Sequence, residues 1–128
     1  MRSRGEIEAA VATALARFQR EFLGRGPRDI QAHLIDDTLV VHLRGVLSSA
    51  EERLLETPAA DGDHAADLLR QVRGRLVLAG RAILERLVTE ATGARAVDLH
   101  HDLSAATGEE LIVVTLDSPP ACRGRDRS

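Results

Sequence analysis

Residues 29 to 44, DIQAHLIDDTLVVHLR, carry apolar side chains at alternate positions on either side of an Asp-Asp pair. No other stretch restricts the fold as much. Period-two alternation belongs to a strand with one buried face, and aspartate tolerates the left-handed backbone that a two-residue hairpin turn demands. With Asp36 and Asp37 as the turn, Leu34 faces Leu39, Ala32 faces Val41 and Ile30 faces Leu43, which gives one continuous apolar face. The same register sets Asp29 opposite Arg44, and a cross-strand pair of opposite charge contributes about 0.2 to 1 kcal/mol toward holding it.

Before this hairpin the period is helical. Ile7, Val11, Leu15, Phe18 and Phe22 recur every three or four residues, so the spacing predicts a first helix with all five in the core, ended by Gly24, Gly26 and Pro27. After the hairpin, Ser48-Ser49-Ala50-Glu51 has the form of a capping box that opens a short helix stopping near Thr57-Pro58. Asp61 or Asp63 is available to cap the next helix, expected over about 65 to 92. Its buried stripe is read as Leu69, Val72, Leu76, Ile83 and Leu87. Val77, Leu78, Leu84 and Val88 widen the stripe, so the helix is expected to pack on two sides, against the first helix or a second copy of the chain.

Thr92-Gly93 ends that helix, and 95 to 103 with 110 to 117 alternate as a second hairpin. The two halves look alike: Gly26, Arg28, Ile30 and His33 align on Gly93, Arg95, Val97 and His100. An α-β-β unit used twice predicts an α+β fold, a four-stranded antiparallel sheet packed by helices on one face. One domain is expected over 1–117, with 118–128 as a disordered tail.

The 17 basic residues are all arginine and are outnumbered by 20 acidic ones, and there is no Trp or Tyr. A lysine-rich surface and stacking platforms are both missing, which argues against a nucleic-acid partner. Cys122 is the single cysteine, so neither a disulfide framework nor a cysteine zinc site is expected, and a cytoplasmic setting fits. The first residues lack the apolar core of a signal peptide, and no run approaches the roughly 18 apolar residues of a membrane span. Direct membrane insertion is not expected.

The segment DLHHDLSAATGEE, 98 to 110, holds the most suggestive chemistry. Successive strand side chains point to opposite faces, so His100 and His101 are not a metal dyad. His101 shares a face with Val97 and Leu99 and is expected as a hydrogen-bonded core residue. Asp98, His100 and Asp102 share the other face, where a carboxylate can orient an imidazole or share a metal with it. Their α-carbons are about 7 Å apart and no further ligand is identifiable, so no metal or cofactor is assigned. Arg25 and Arg28 in GRGPR are binding candidates for a carboxylate or an acidic patch, but the loop follows a helix C-terminus, where the dipole disfavours phosphate. There is no GxSxG elbow, and Ser104 begins a turn, so an enzyme is not favoured.

Four stretches occur in order: the Gly-x-Gly-Pro turn at 24 to 27, Asp36-Asp37, Leu43-Arg44-Gly45-Val46-Leu47-Ser48 with Ala50-Glu51, and Asp102-Leu103-Ser104 leading to Thr107-Gly108-Glu109. Together they resemble the MpsC-like family, the soluble component of sodium-translocating, membrane-potential-generating systems and a domain of unknown function. The resemblance implies a non-enzymatic accessory or regulatory module beside a membrane-associated ion or inorganic-carbon (bicarbonate) transporter, peripheral to the membrane through an integral membrane subunit. It carries no catalytic residues. Gly45 and Gly108 sit where a positive φ is expected, which leaves Arg44, Asp102 and Glu109 as its polar positions to test. A homodimer through the long helix is expected. The alternative is a small-molecule or metal-binding domain, or a minor enzyme, using Asp98, His100 and Asp102 together with Arg44.

Overall fold

A computed structural model describes residues 2–56 and 64–122. Along them lie α1 (Arg4–Phe22), β1 (Asp29–Ile35), β2 (Thr38–Arg44), α2 (Ser49–Glu56), α3 (His64–Ala79), α4 (Arg81–Thr92), β3 (Ala96–Ser104) and β4 (Glu109–Leu116). The fold is the expected α+β class: one antiparallel sheet in the order β1-β2-β4-β3, with the helices on one face. Leu39, Val41 and Leu43 of β2 and Ile112, Val114 and Leu116 of β4 are buried under that helical layer, and the alternate residues face away from it.

The first hairpin has the register its alternation implies, from Leu34 opposite Leu39 to Asp29 opposite Arg44. Asp36 in its turn adopts φ 57°, the left-handed conformation that aspartate tolerates. The hairpins then join at equivalent residues. His33 pairs with Val40, His100 pairs with Val113, and Val40 pairs with Val113, so the two α-β-β units meet about an approximate twofold.

Ser3 opens α1 with a reciprocal capping box, its Oγ accepting from the Glu6 amide at 3.1 Å while Glu6 Oε1 accepts from the Ser3 amide at 2.8 Å. Ser48 and Glu51 repeat the device at α2, at 3.1 and 2.8 Å. The expected helix stop at Thr57-Pro58 and the Asp61 or Asp63 cap fall in 57–63, outside the described residues.

Three expectations are corrected. The helix over 65 to 92 is two helices, because the chain breaks at Gly80. A Cβ there would lie 2.8 Å from both Phe18 Cζ and Phe22 Cε2, so the aromatic pair sits directly on the glycine. The buried stripe shifts accordingly: Leu69, Arg73 and Val77 of α3 and Leu84 and Val88 of α4 face inward, whereas Val72 (44% exposed), Leu76 (38%) and Ile83 (37%) do not. Phe22 is also half-exposed, because it stands at the last residue of α1, at the end of the buried stripe. Its ring stacks on Phe18 with centroids 5.2 Å apart.

Val97 is the third correction. The register with β4 shifts between Ala96 and Asp98, and this bulge turns Val97 outward instead of placing it beside His101. Of the expected tail over 118–128, Pro120 is buried and Cys122 packs against the core, and 123–128 lie outside the described residues.

Candidate functional site

The uncovered face of the sheet is ordered in rows because all three strand pairings are in register there. One row runs His33, Val40, Val113, His100; the next runs Gln31, His42, Leu111, Asp102. Val40, Val113 and Leu111 make an apolar centre, and titratable side chains flank it. At one end of the face Arg44 Nη1 donates to Asp29 Oδ2 at 3.1 Å, and its Nε lies 3.5 Å from Glu109 Oε2. His42 Nε2 is 3.2 Å from the other oxygen of Glu109. At the β3 edge His100 Nε2 is 3.4 Å from Asp98 Oδ2, and Arg81 Nη2 reaches Asp98 Oδ1 at 3.6 Å. Exposed pairs of this kind contribute about 0 to 1 kcal/mol each, so they arrange charge on the surface more than they hold the fold.

Arg44 and Glu109, far apart in sequence, are therefore brought together with His42 and Asp29. Asp98 and His100 are adjacent as expected. Asp102 lies on the same face in the next row. Arg25 and Arg28 are separate from this face: Arg25 Nη1 donates to the carbonyl of Leu47, and the Arg28 side chain lies over Gly45, where a Cβ would be 2.6 Å from Arg28 Cβ. Gly45 has φ 64° and Gly108 φ 73°, the positive values expected at both positions. Among the described residues no group of three or more His, Cys, Asp or Glu side chains is placed to hold a metal ion.

Beneath the helical layer is a charged cluster that sequence reasoning missed. The Glu110 carboxylate is fully buried, with Arg73 at 5% and His101 at 10% side-chain exposure. Arg73 Nε donates to Glu110 Oε2 at 3.2 Å and Gln19 Nε2 donates to Oε1 at 3.0 Å, while Arg73 Nη2 donates to Gln19 Oε1 at 3.3 Å. His101 Nε2 lies 2.5 Å from Glu110 Oε2 and must be the donor, because an ionised carboxylate only accepts. Burial pushes the Glu110 carboxyl upward, but the hydrogen bond from His101 and the charge and hydrogen bond of Arg73 outweigh it and hold the carboxyl below its ordinary value. His101 is thus the hydrogen-bonded interior histidine expected. A signal for the rest existed: Arg73 lies between Leu69 and Val77 at helical spacing, and Glu110 shares the core phase of β4 with Ile112 and Val114. Opposite charges at core-facing positions of different elements pair when both are buried.

These features define a small two-layer α+β domain whose surface charges are paired across strands and whose interior carries an ionic cluster, joined through Arg73 Nη1 to Glu51 of α2 at 3.9 Å. The chain belongs to the family described as the Na+-translocating membrane potential-generating system (MpsC), whose model matches residues 3–118. It is similar to the uncharacterised protein YbcI of Bacillus subtilis (strain 168), 29% identical over 115 residues that cover 90% of this chain and 89% of that one. No solved structure matches. Among the described residues no helix is long and apolar enough to cross a membrane.

Proposed function

We propose that this protein is a non-enzymatic accessory component of a Na+-translocating, membrane-potential-generating system, and that it docks on an integral membrane subunit through the uncovered sheet face. The family match supplies the system. The face supplies the geometry: an apolar centre of Val40, Leu111 and Val113 inside a rim that includes Arg44, Glu109 and Asp102 has the layout of a protein interface. Because Asp29, Arg44 and Glu109 pair with one another at the surface, a partner gains affinity by exchanging those weak pairs for its own, which favours reversible association.

The test is a quantitative pull-down of tagged protein from detergent-solubilised membranes and, separately, from cytosol. Capture of a multi-spanning ion-transport subunit by the wild type, reduced at least about tenfold by Arg44→Glu, is the expected result. Capture unaffected by Arg44→Glu would remove the sheet face from the account. A second reading, binding of a metal or small molecule, rests on the His100–Asp98 contact at 3.4 Å. It requires that calorimetry with zinc, manganese or bicarbonate give saturable binding that His100→Ala abolishes.

A further inference from the structure

The helical layer has its own outward face, and its charges are self-complementary. α1 and α4 run antiparallel, since Ala10 and Ala14 border Leu87 and Ala91 in one stretch of the groove between them, and Phe22 borders Ile83 in the next. Small residues on α1 let another surface approach closely. Phe22 and Ile83 are each 37% exposed at one end. Along α4 the groove side reads Ile83, Leu87 and Ala91, one residue per turn, with Arg86 and Glu90 beside them. Neither Arg86 nor Glu90 has an ion-pair partner among the described residues, although charged neighbours such as Arg17 and Glu21 are paired at 3.1 Å.

We infer that this α1/α4 face binds a second copy of the chain in an isologous antiparallel contact centred on Leu87. In that arrangement the half-buried Leu87 meets its counterpart, the exposed Ile83 lies along the other copy's groove, and Arg86 meets the other copy's Glu90 twice, once on each side of the axis. A membrane surface does not fit, because a carboxylate and a guanidinium flank the apolar strip together. An unrelated helix would have to reproduce this charge order, which the chain's own face already offers.

The contact is modest in size. α1 has 19 residues, about 28 Å of helix, and two helices side by side are roughly 20 Å wide. The footprint is on the order of 500 Å² per copy, near the lower limit for a specific interface, so a reversible dimer in the micromolar range follows. This inference goes beyond the proposed docking on a membrane subunit and is independent of it, since it uses the opposite side of the molecule.

Sedimentation velocity on the full chain across the micromolar range tests it. The wild type should pass from monomer to dimer. Arg86→Glu and Glu90→Arg, both at exposed positions, should each weaken the dimer by at least about tenfold by opposing like charges, and the Arg86→Glu/Glu90→Arg double variant should recover it to within a few fold. A wild type that stays monomeric throughout overturns the inference. So does a dimer that Arg86→Glu leaves unchanged, which would place the contact on another face.

Discussion

Glu110 stands at a core-facing position of β4, two residues from Ile112, and yet carries a carboxylate held by Arg73, His101 and Gln19. Its folded pKa lies below its ordinary value. The corresponding stability is therefore present above the unfolded carboxylate pKa of about 4.3 and is lost as pH falls through the folded value. Glu110→Gln should cost about 3 kcal/mol at neutral pH, because the buried Arg73 loses its nearest counter-charge and keeps only the partly exposed Glu51, 3.9 Å away. The gap to wild type should narrow on acidification. Urea titrations at neutral pH and near pH 3 check this, and a gap independent of pH would mean that the carboxylate's ionisation contributes nothing. Phe22 is the contrasting case. Its half-exposed ring predicts that Phe22→Ala costs about 1 to 2 kcal/mol, less than the 3 to 5 kcal/mol of a core aromatic. A loss equal to that of Phe18→Ala would mean the ring is buried after all.

Among the elements, the strands were the more legible. Alternation fixes both the face and the register of a hairpin, because a slip of one residue would expose every apolar side chain. The helices were read less well. Periodicity carries straight through Gly80, and only the Phe18 and Phe22 rings resting on that glycine reveal the break between α3 and α4. An alanine in an uninterrupted helix would be favourable by about 1 kcal/mol relative to glycine. Here Gly80→Ala should instead lower stability by about 1 to 2 kcal/mol, because its Cβ has to displace two rings. A rise in the denaturation midpoint would show that the helices are continuous there. The bulge at Val97 left no mark in the alternation, since one extra residue on an edge strand changes no turn or cap.

For the whole molecule, pairing within each hairpin is local, whereas the junction of β2 with β4 joins residues 67 to 77 positions apart, from Thr38 opposite Thr115 to Leu43 opposite Glu110. No sequence periodicity encodes that choice. It becomes intelligible once the two units are seen to meet through Val40 and Val113. The candidate residues were legible in part. Asp98, His100 and Asp102 were correctly placed on one strand face, but the meeting of Arg44 with Glu109 depends on the β2–β4 junction, and Arg25 and Arg28 belong to a separate loop contact. The cluster of Gln19, Arg73, His101 and Glu110 draws on four elements, so only the assembled fold brings it together.

Two working sides are proposed for the molecule, a sheet face for a membrane subunit and a helical face for a second copy. The most direct test of the first is site-specific photo-crosslinking in detergent-solubilised membranes, with the reactive group in place of Leu111 at the centre of the sheet face or of Leu78 on α3, 41% and 66% exposed respectively. The prediction is an adduct with an integral membrane ion-transport subunit from position 111 and none from position 78. An adduct from 78 with none from 111 would contradict the assignment of the sheet as the docking face.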